Sequence, residues 1–271
     1  MTSRFAFQKM PFKQVRLPLA VLVAVVSTPA MSLDLELAIA PAGIVTDHPY
    51  RILGLAPGAT YEEIEAVTSE RGIPLYAQEG VMTVTSGGTR IGLNVTYGFQ
   101  THGYDNPFLY QNETEYEFMQ GVLSTNATGN VAISISRSLG IPLPEAPSLD
   151  ALRKQVIDQF GEPTLIDREL SFDRAIWVHD LDGVQIAPGS IDTIPENCGG
   201  QAQFIIVDPA TVKTGCSVTY EVAFRQMASH TLIKFTIVDY LLRDTDRIEA
   251  VKQINAAIAG TGDDAPSDLD L

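Results

Sequence analysis

Two stretches of the chain set an apolar residue at every third or fourth position between clearly marked ends. In residues 148–164, SLDALRKQVIDQFGEPT, the stripe is Leu149, Leu152, Val156 and Phe160. Ser148 is placed to cap the first turn with its hydroxyl, Gly161 to take the left-handed stop, and Pro163 forbids continuation. The same grammar occurs earlier, in residues 60–74, TYEEIEAVTSERGIP. There Thr60 and Glu63 predict a capping box, Tyr61, Ile64 and Val67 form the stripe, and Gly72 and Pro74 close it. Gly72 to Gly161 and Pro74 to Pro163 span the same interval. Two helices that each stop on Gly-x-Pro before strand-like sequence predict a duplicated helix-plus-sheet unit.

Between and after these helices the period falls to two. Ile91, Leu93, Val95, Tyr97 and Phe99 alternate with Gly92, Asn94, Thr96 and Gly98, which predicts a strand with one buried and one wet face. It pairs with 81–86 through the hairpin signal Gly87-Gly88. Residues 116–123 and 131–137 read as two more strands joined by the turn TNATGN at 125–130, and 50–55 as extended before a turn at 56–59. In the second half, 174–180 and 184–186 turn on Leu181-Asp182-Gly183, 183–201 is a long loop, and 204–207 is a short strand. Val218, Tyr220, Val222 and Phe224 alternate, as do Ile233, Phe235 and Ile237. Asp246 and Glu249 predict a capping box for a last helix carrying Ile248, Val251, Ile254 and Ile258, stopped by Gly260. The expected class is therefore α+β. It comprises a first helix-plus-meander unit at 33–140, a proline-rich linker at 141–147, and a second unit with a C-terminal helix at 148–259. The tail at 260–271 is acidic and small, and is expected to be disordered.

Composition adds a compartment to this picture. With 45 % hydrophobic and 19 % charged residues the chain has what a folded core needs. Arg4, Lys9, Lys13 and Arg16 precede the apolar run 17–26, and small residues follow around 27–32, the three parts of a secretory signal peptide over 1–32. The run is too short to cross a hydrocarbon core of about 30 Å, and no later segment is long and apolar enough to span. Residues 1–32 carry those four cations and no anion, so their removal takes the net charge from −15 to −19. Such a field repels phosphate backbones and anionic lipid surfaces, which argues against nucleic acid or a membrane face as partner. In an oxidising compartment Cys198 and Cys216, the only cysteines, are expected to form a disulfide. If 204–207 and 218–224 form a simple hairpin, Cys216 lies near its tip and Cys198 beyond its base. Either the 183–201 loop then folds back along the sheet, or those strands are not neighbours.

No motif assigns chemistry. His48, His102, His179 and His230 lack the short spacing that would put two on one metal, so neither a metal nor a cofactor is expected. His179-Asp180 is the one tempting pair, but neighbouring strand residues point to opposite faces, which leaves His179 as a solvent-facing strand histidine. There is no Gly-x-Ser-x-Gly elbow, phosphate-binding glycine loop or HExxH helix. Asn94, Asn112 and Asn126 match glycosylation acceptors. The strongest candidate contact surface is the aromatic stretch Tyr97, Phe99, Tyr104, Phe108, Tyr110 and Tyr116, set among Asn and Asp.

The pattern Gly-x-x-x-Gly-x-Thr-x-x-Glu-Ile at 54–64 and the second helix ending Phe160-Gly161-Glu162-Pro163 resemble a known small domain. It is the helix-then-antiparallel-sheet module shared by β-lactamase inhibitory protein and the SmpA/OmlA lipoprotein of the outer-membrane barrel-assembly machinery. The whole chain also resembles uncharacterised periplasmic proteins of proteobacteria that combine such a start with Ile135-Ser136-Arg137, Trp177 and a late cysteine pair. The resemblance covers roughly residues 50–258 and implies a binding module that presents a sheet face or loops to another protein. A lipid-attachment cysteine is missing, the second loop is long and only one disulfide can form, so no target is carried over. The expectation is an exported, periplasmic or secreted, non-enzymatic binding or accessory protein whose partner is another envelope protein. A small hydrolase or metal-dependent enzyme is the first alternative, marked by a cleft gathering His179, Asp180 or His230 with other polar groups. An inhibitor of an extracellular enzyme is the second, marked by an exposed aromatic face or loop.

Overall fold

Both helix signals fold as their caps dictate. In α1, Tyr61–Glu70, Thr60 Oγ1 accepts the Glu63 N–H and a Glu63 carboxylate oxygen accepts the Thr60 N–H, so two otherwise orphaned donors are satisfied. In α2, Leu149–Phe160, Ser148 Oγ accepts the Ala151 N–H and Gly161 ends the helix at φ 80°. The structure is a computed structural model and describes residues 32–39, 48–86, 89–102, 116–167, 173–189, 194–195, 198 and 215–259. Residues 1–31 of the signal segment, the Gly87-Gly88 turn, the expected strand at 204–207 and the acidic tail lie outside the described residues, as does Asn112.

Among the described residues nine strands form one sheet: β1 Ser32–Asp34, β2 Tyr76–Ser86, β3 Thr89–Gln100, β4 Tyr116–Leu123, β5 Ala132–Pro142, β6 Leu165–Asp167, β7 Asp173–His179, β8 Val218–Gln226 and β9 His230–Asp239. All pairings are antiparallel except β1 with β3. β2 runs along one edge of β3, while β1 and β4 share the other. Outward from the β5–β9 seam the order is β5-β4-β3-β2 on one side and β9-β8-β7-β6 on the other. Each side is preceded in sequence by one capped helix. The sheet is unbroken at the prolines of 141–147, because Ile141 and Pro142 lie in β5 and pair with Thr231 and His230.

Alternation sorts the side chains to two faces. On the first face, Ile64 of α1 and Leu152 and Val156 of α2 pack in one cluster with Ile135, Trp177 and Tyr220 of the sheet. Two glycines let aromatic rings lie flat on a neighbouring strand. Phe99 covers Gly121, its cross-strand partner, and Tyr116 covers Gly140; a Cβ at either glycine would sit 2.4 Å from ring carbons.

Two local expectations are corrected. Residues 50–55 are not an extended strand: Ile52 and Leu55 exchange backbone hydrogen bonds around Leu53 and Gly54, at φ 54° and 81°, which form a tight turn that buries both flanking side chains. The last helix, α3, begins far earlier than its supposed capping box and spans Tyr240–Ala259. Asp239 caps it, its Oδ1 accepting the Leu242 N–H. Asp246 is consequently interior and buried, and its carboxylate accepts the Thr125 N–H and the Thr125 and Thr128 hydroxyls of the 124–131 turn. The buried stripe of α3 runs through Ala250, Ile254 and Ile258, packed on Ile91 and Leu93, while Ile248 is exposed.

Candidate functional site

Besides the ion pairs of Arg153 with Asp150 and Asp173 and of Glu117 with Arg71 and Arg137, polar side chains gather in two places that bear on function. The first is at the end of the sheet where β7 and β9 finish and β8 begins. Here the 48–60 segment crosses from His179 to Ala132, which it joins through Ala59. A cleft of about 240 Å³ opens among His48, His179, Ser217 and Asp239. His48 Nε2 lies 3.1 Å from Asp239 Oδ2, both side chains almost fully buried, while the other Asp239 oxygen caps α3. His179 Nδ1 is 3.0 Å from the Gly183 carbonyl, which can only accept, so Nδ1 carries a proton, and Nε2 is bonded to Tyr50 Oη at 3.1 Å. Tyr50 stacks on Tyr220 with ring centroids 4.6 Å apart. Burial pushes the Tyr50 phenol up to about 12 and raises that of Tyr220, with Tyr50 adding to the latter, so both remain donors at neutral pH.

This corrects the reading of His179 as solvent-facing: Tyr50, supplied by the preceding segment, covers it. Asp180 turns away, its Oδ1 accepting the Asp182 and Val184 N–H groups of the adjoining turn. His230 is at the opposite end of the sheet, edge-on to Tyr116. His48 and Asp239 escape sequence reading because their separation matches no motif. The available signal was an aspartate directly before an apolar helical run. Chemically the cleft is closed on itself. Both His179 nitrogens and His48 Nε2 are engaged, and Ser217 Oγ is directed at the His179 carbonyl, 3.5 Å away. Among the described residues no cluster of three His, Cys, Asp or Glu side chains could hold a metal.

The second place is the middle of the other sheet face. Gln78 of β2, Gln120 of β4, Ser134 and Ser136 of β5, and Lys234 and Thr236 of β9 line a depression of about 180 Å³, and no helix contributes to it. The side chains hold one another in position. Ser136 Oγ is 3.1 Å from Thr236 Oγ1, and Gln78 Nε2 donates to Gln100 Oε1 at 3.0 Å. Beside them Arg174 pairs with Asp167 and reaches to 3.9 Å from Glu221. Burial raises the Glu221 carboxyl, against the pull of Arg174 and Lys234. Toward the cleft end the same face turns apolar, where Ile176, Val178 and Val238 meet Tyr240, Leu242 and the bonded Cys198–Cys216 pair, with Cα atoms 6.1 Å apart. Sequence reading passed over this face, although the alternation Ser134-Ile135-Ser136 is the signal that reveals it.

The aromatic candidates separate. Phe99 is fully buried under α1 and α2 and offers nothing to a partner. Tyr97 and Tyr116 are half-buried, the first beside Gly80 and the second across Gly140. Tyr104, Phe108 and Tyr110 lie outside the described residues. Compared with protein-family models, with curated proteins and with solved structures, the chain matches none. No helix among the described residues is long and apolar enough to cross a membrane.

Proposed function

We propose that this is an exported binding or accessory protein of the cell envelope that holds another envelope protein against the second face of its sheet, and that it is not an enzyme. The observation that carries the reading is the depression on that face, where Gln78, Gln120, Ser134, Ser136, Thr236 and Lys234 sit beside Val122 and Val238 and no helix residue lines it. Such a surface offers hydrogen-bonding groups already fixed by one another, at little entropic cost to a partner. The mirrored strand order about the β5–β9 seam supports two tandem helix-plus-meander units fused edge to edge, in the manner of the inhibitor and lipoprotein modules that the sequence resembles. The signal-like segment 1–32 and the Cys198–Cys216 bond support a periplasmic or secreted location.

A second reading, a small hydrolase, draws on the cleft that gathers His179 with His48 and Asp239. Against it, His48 Nε2 and both ring nitrogens of His179 are already engaged in bonds within the fold. The inhibitor reading is the first proposal with an extracellular enzyme as the partner. The discriminating experiment is crosslinking capture in intact cells with the wild type and the double variant Ser136→Arg, Thr236→Arg. Loss of one specific envelope protein from the variant supports the face. Capture unchanged by the variant, together with substrate turnover abolished by His48→Ala, would establish the enzyme instead.

A further inference from the structure

The two outer edges of the sheet are finished differently. β6, at one edge, is three residues long and carries Asp167 locked to Arg174 of β7. Short, charged edge strands resist pairing with a foreign chain. β2, at the other edge, is an eleven-residue strand, YAQEGVMTVTS, and among the described residues only β3 pairs with it. It has no proline, no lysine and a single charged residue, Glu79. Its register with β3 shifts between Gln78 and Glu79, where Gly98 and Thr96 are successive partners, so the extra residue is Tyr97 of β3 and β2 itself is continuous. At its centre Val81 is 68 % exposed.

We propose that β2 is the pairing edge for a second copy of this chain, joined antiparallel about a two-fold axis through Val81. In that register Tyr76 faces the partner's Ser86 and all eleven residues pair. Val81 meets the Val81 of the second copy, removing an exposed β-branched side chain from water at the axis. The one acidic residue, Glu79, falls opposite Thr83 rather than its own copy. A molecule with net charge −15 thus approaches itself along a strip bearing one charge per copy. The uncharged run Gly80–Ser86 supplies the backbone donors and acceptors of a continued ladder, and the depression on the second face is left open.

The test is sedimentation of the purified protein over a wide concentration range, with three variants. Wild type is expected to dimerise reversibly. Val81→Lys, which opposes two ammonium groups on the axis, is expected to be monomeric with its melting temperature retained. Val81→Cys is expected to crosslink to a covalent dimer under mild oxidation, since directly opposed strand residues lie within disulfide reach, whereas Glu79→Cys, four residues from its own copy in this register, is not. A monomeric wild type, or equal crosslinking from both cysteine variants, overturns the proposal. If Val81→Cys instead captures a different chain, the edge accepts a strand from another protein and the second-copy assignment is wrong.

Discussion

Along β5 and β9 the first face carries Ile135 and Ile237, both fully buried under the helices, and the second carries Ser136 and Thr236, bonded to each other beside an open depression. The same two strands thus supply both surfaces, and one step along the backbone changes the task. On the first face the apolar area removed from water holds the fold together, at about 25 cal/mol per Å². At the depression on the second face the backbone ladder is already satisfied, and the side chains that line it are available for contact without being part of the buried core that Ile176, Val178 and Val238 form with α3 farther along the same face. Stability and binding are therefore expected to respond to different substitutions on the same strand.

The sharpest break comes from the first face. Trp177 is fully buried among Tyr50, Phe160 and Tyr220, and its Nε1 donates to the Gly161 carbonyl at the end of α2. Trp177→Ala is expected to cost about 3–5 kcal/mol, read as a lower denaturant midpoint with an unchanged slope. The sheet end comes next. Asp246→Ala leaves the buried Thr125 N–H and two hydroxyls without their acceptor, and a loss of about 2–3 kcal/mol is expected in the same assay. Asp246→Asn, which keeps one acceptor oxygen, is expected to lose less.

A smaller effect appears on acidification. Burial holds the His230 imidazole below its ordinary range, and among the described residues its Nε2 has no hydrogen-bond partner. The folded state then takes up the proton less readily than the unfolded chain. Its contribution is fully present above the unfolded value of about 6.5 and is lost as pH falls through the folded value. Melting temperatures measured between pH 7 and pH 5 are expected to fall more for wild type than for His230→Gln. The smallest change belongs to the second face: Gln120→Ala, at an exposed position, is expected to move stability by about 0.5 kcal/mol or less. A large loss there would erase the distinction between the faces.

The elements were readable wherever a side chain announces a local event. Thr60, Glu63, Ser148 and Gly161 place the ends of α1 and α2 because capping is decided within a few residues. The alternation in Val218, Tyr220, Val222 and Phe224 finds β8 because one side of each strand must be dry. What joins distant residues was not readable. Asp246 looks like a cap in sequence because nothing local reveals that Asp239 has already capped the helix, or that Thr125 and Thr128 await a carboxylate. His179 looks exposed because its cover, Tyr50, arrives from far upstream. Phe99 looks like part of an aromatic contact surface because its burial depends on Gly121, which lies in the next strand across a long intervening segment. The second face was hidden for the same reason: its depression draws one to three residues from each of four strands, and none is unusual by itself.

The most direct measurement is site-specific photocrosslinking in intact cells, with the reactive residue placed either at Gln120 on the second face or at Lys154 on the exposed outer side of α2. A single envelope protein crosslinked from position 120 and not from position 154 is the predicted result. The same adduct from both positions, or adducts from 154 alone, would contradict the assignment of binding to the open face of the sheet.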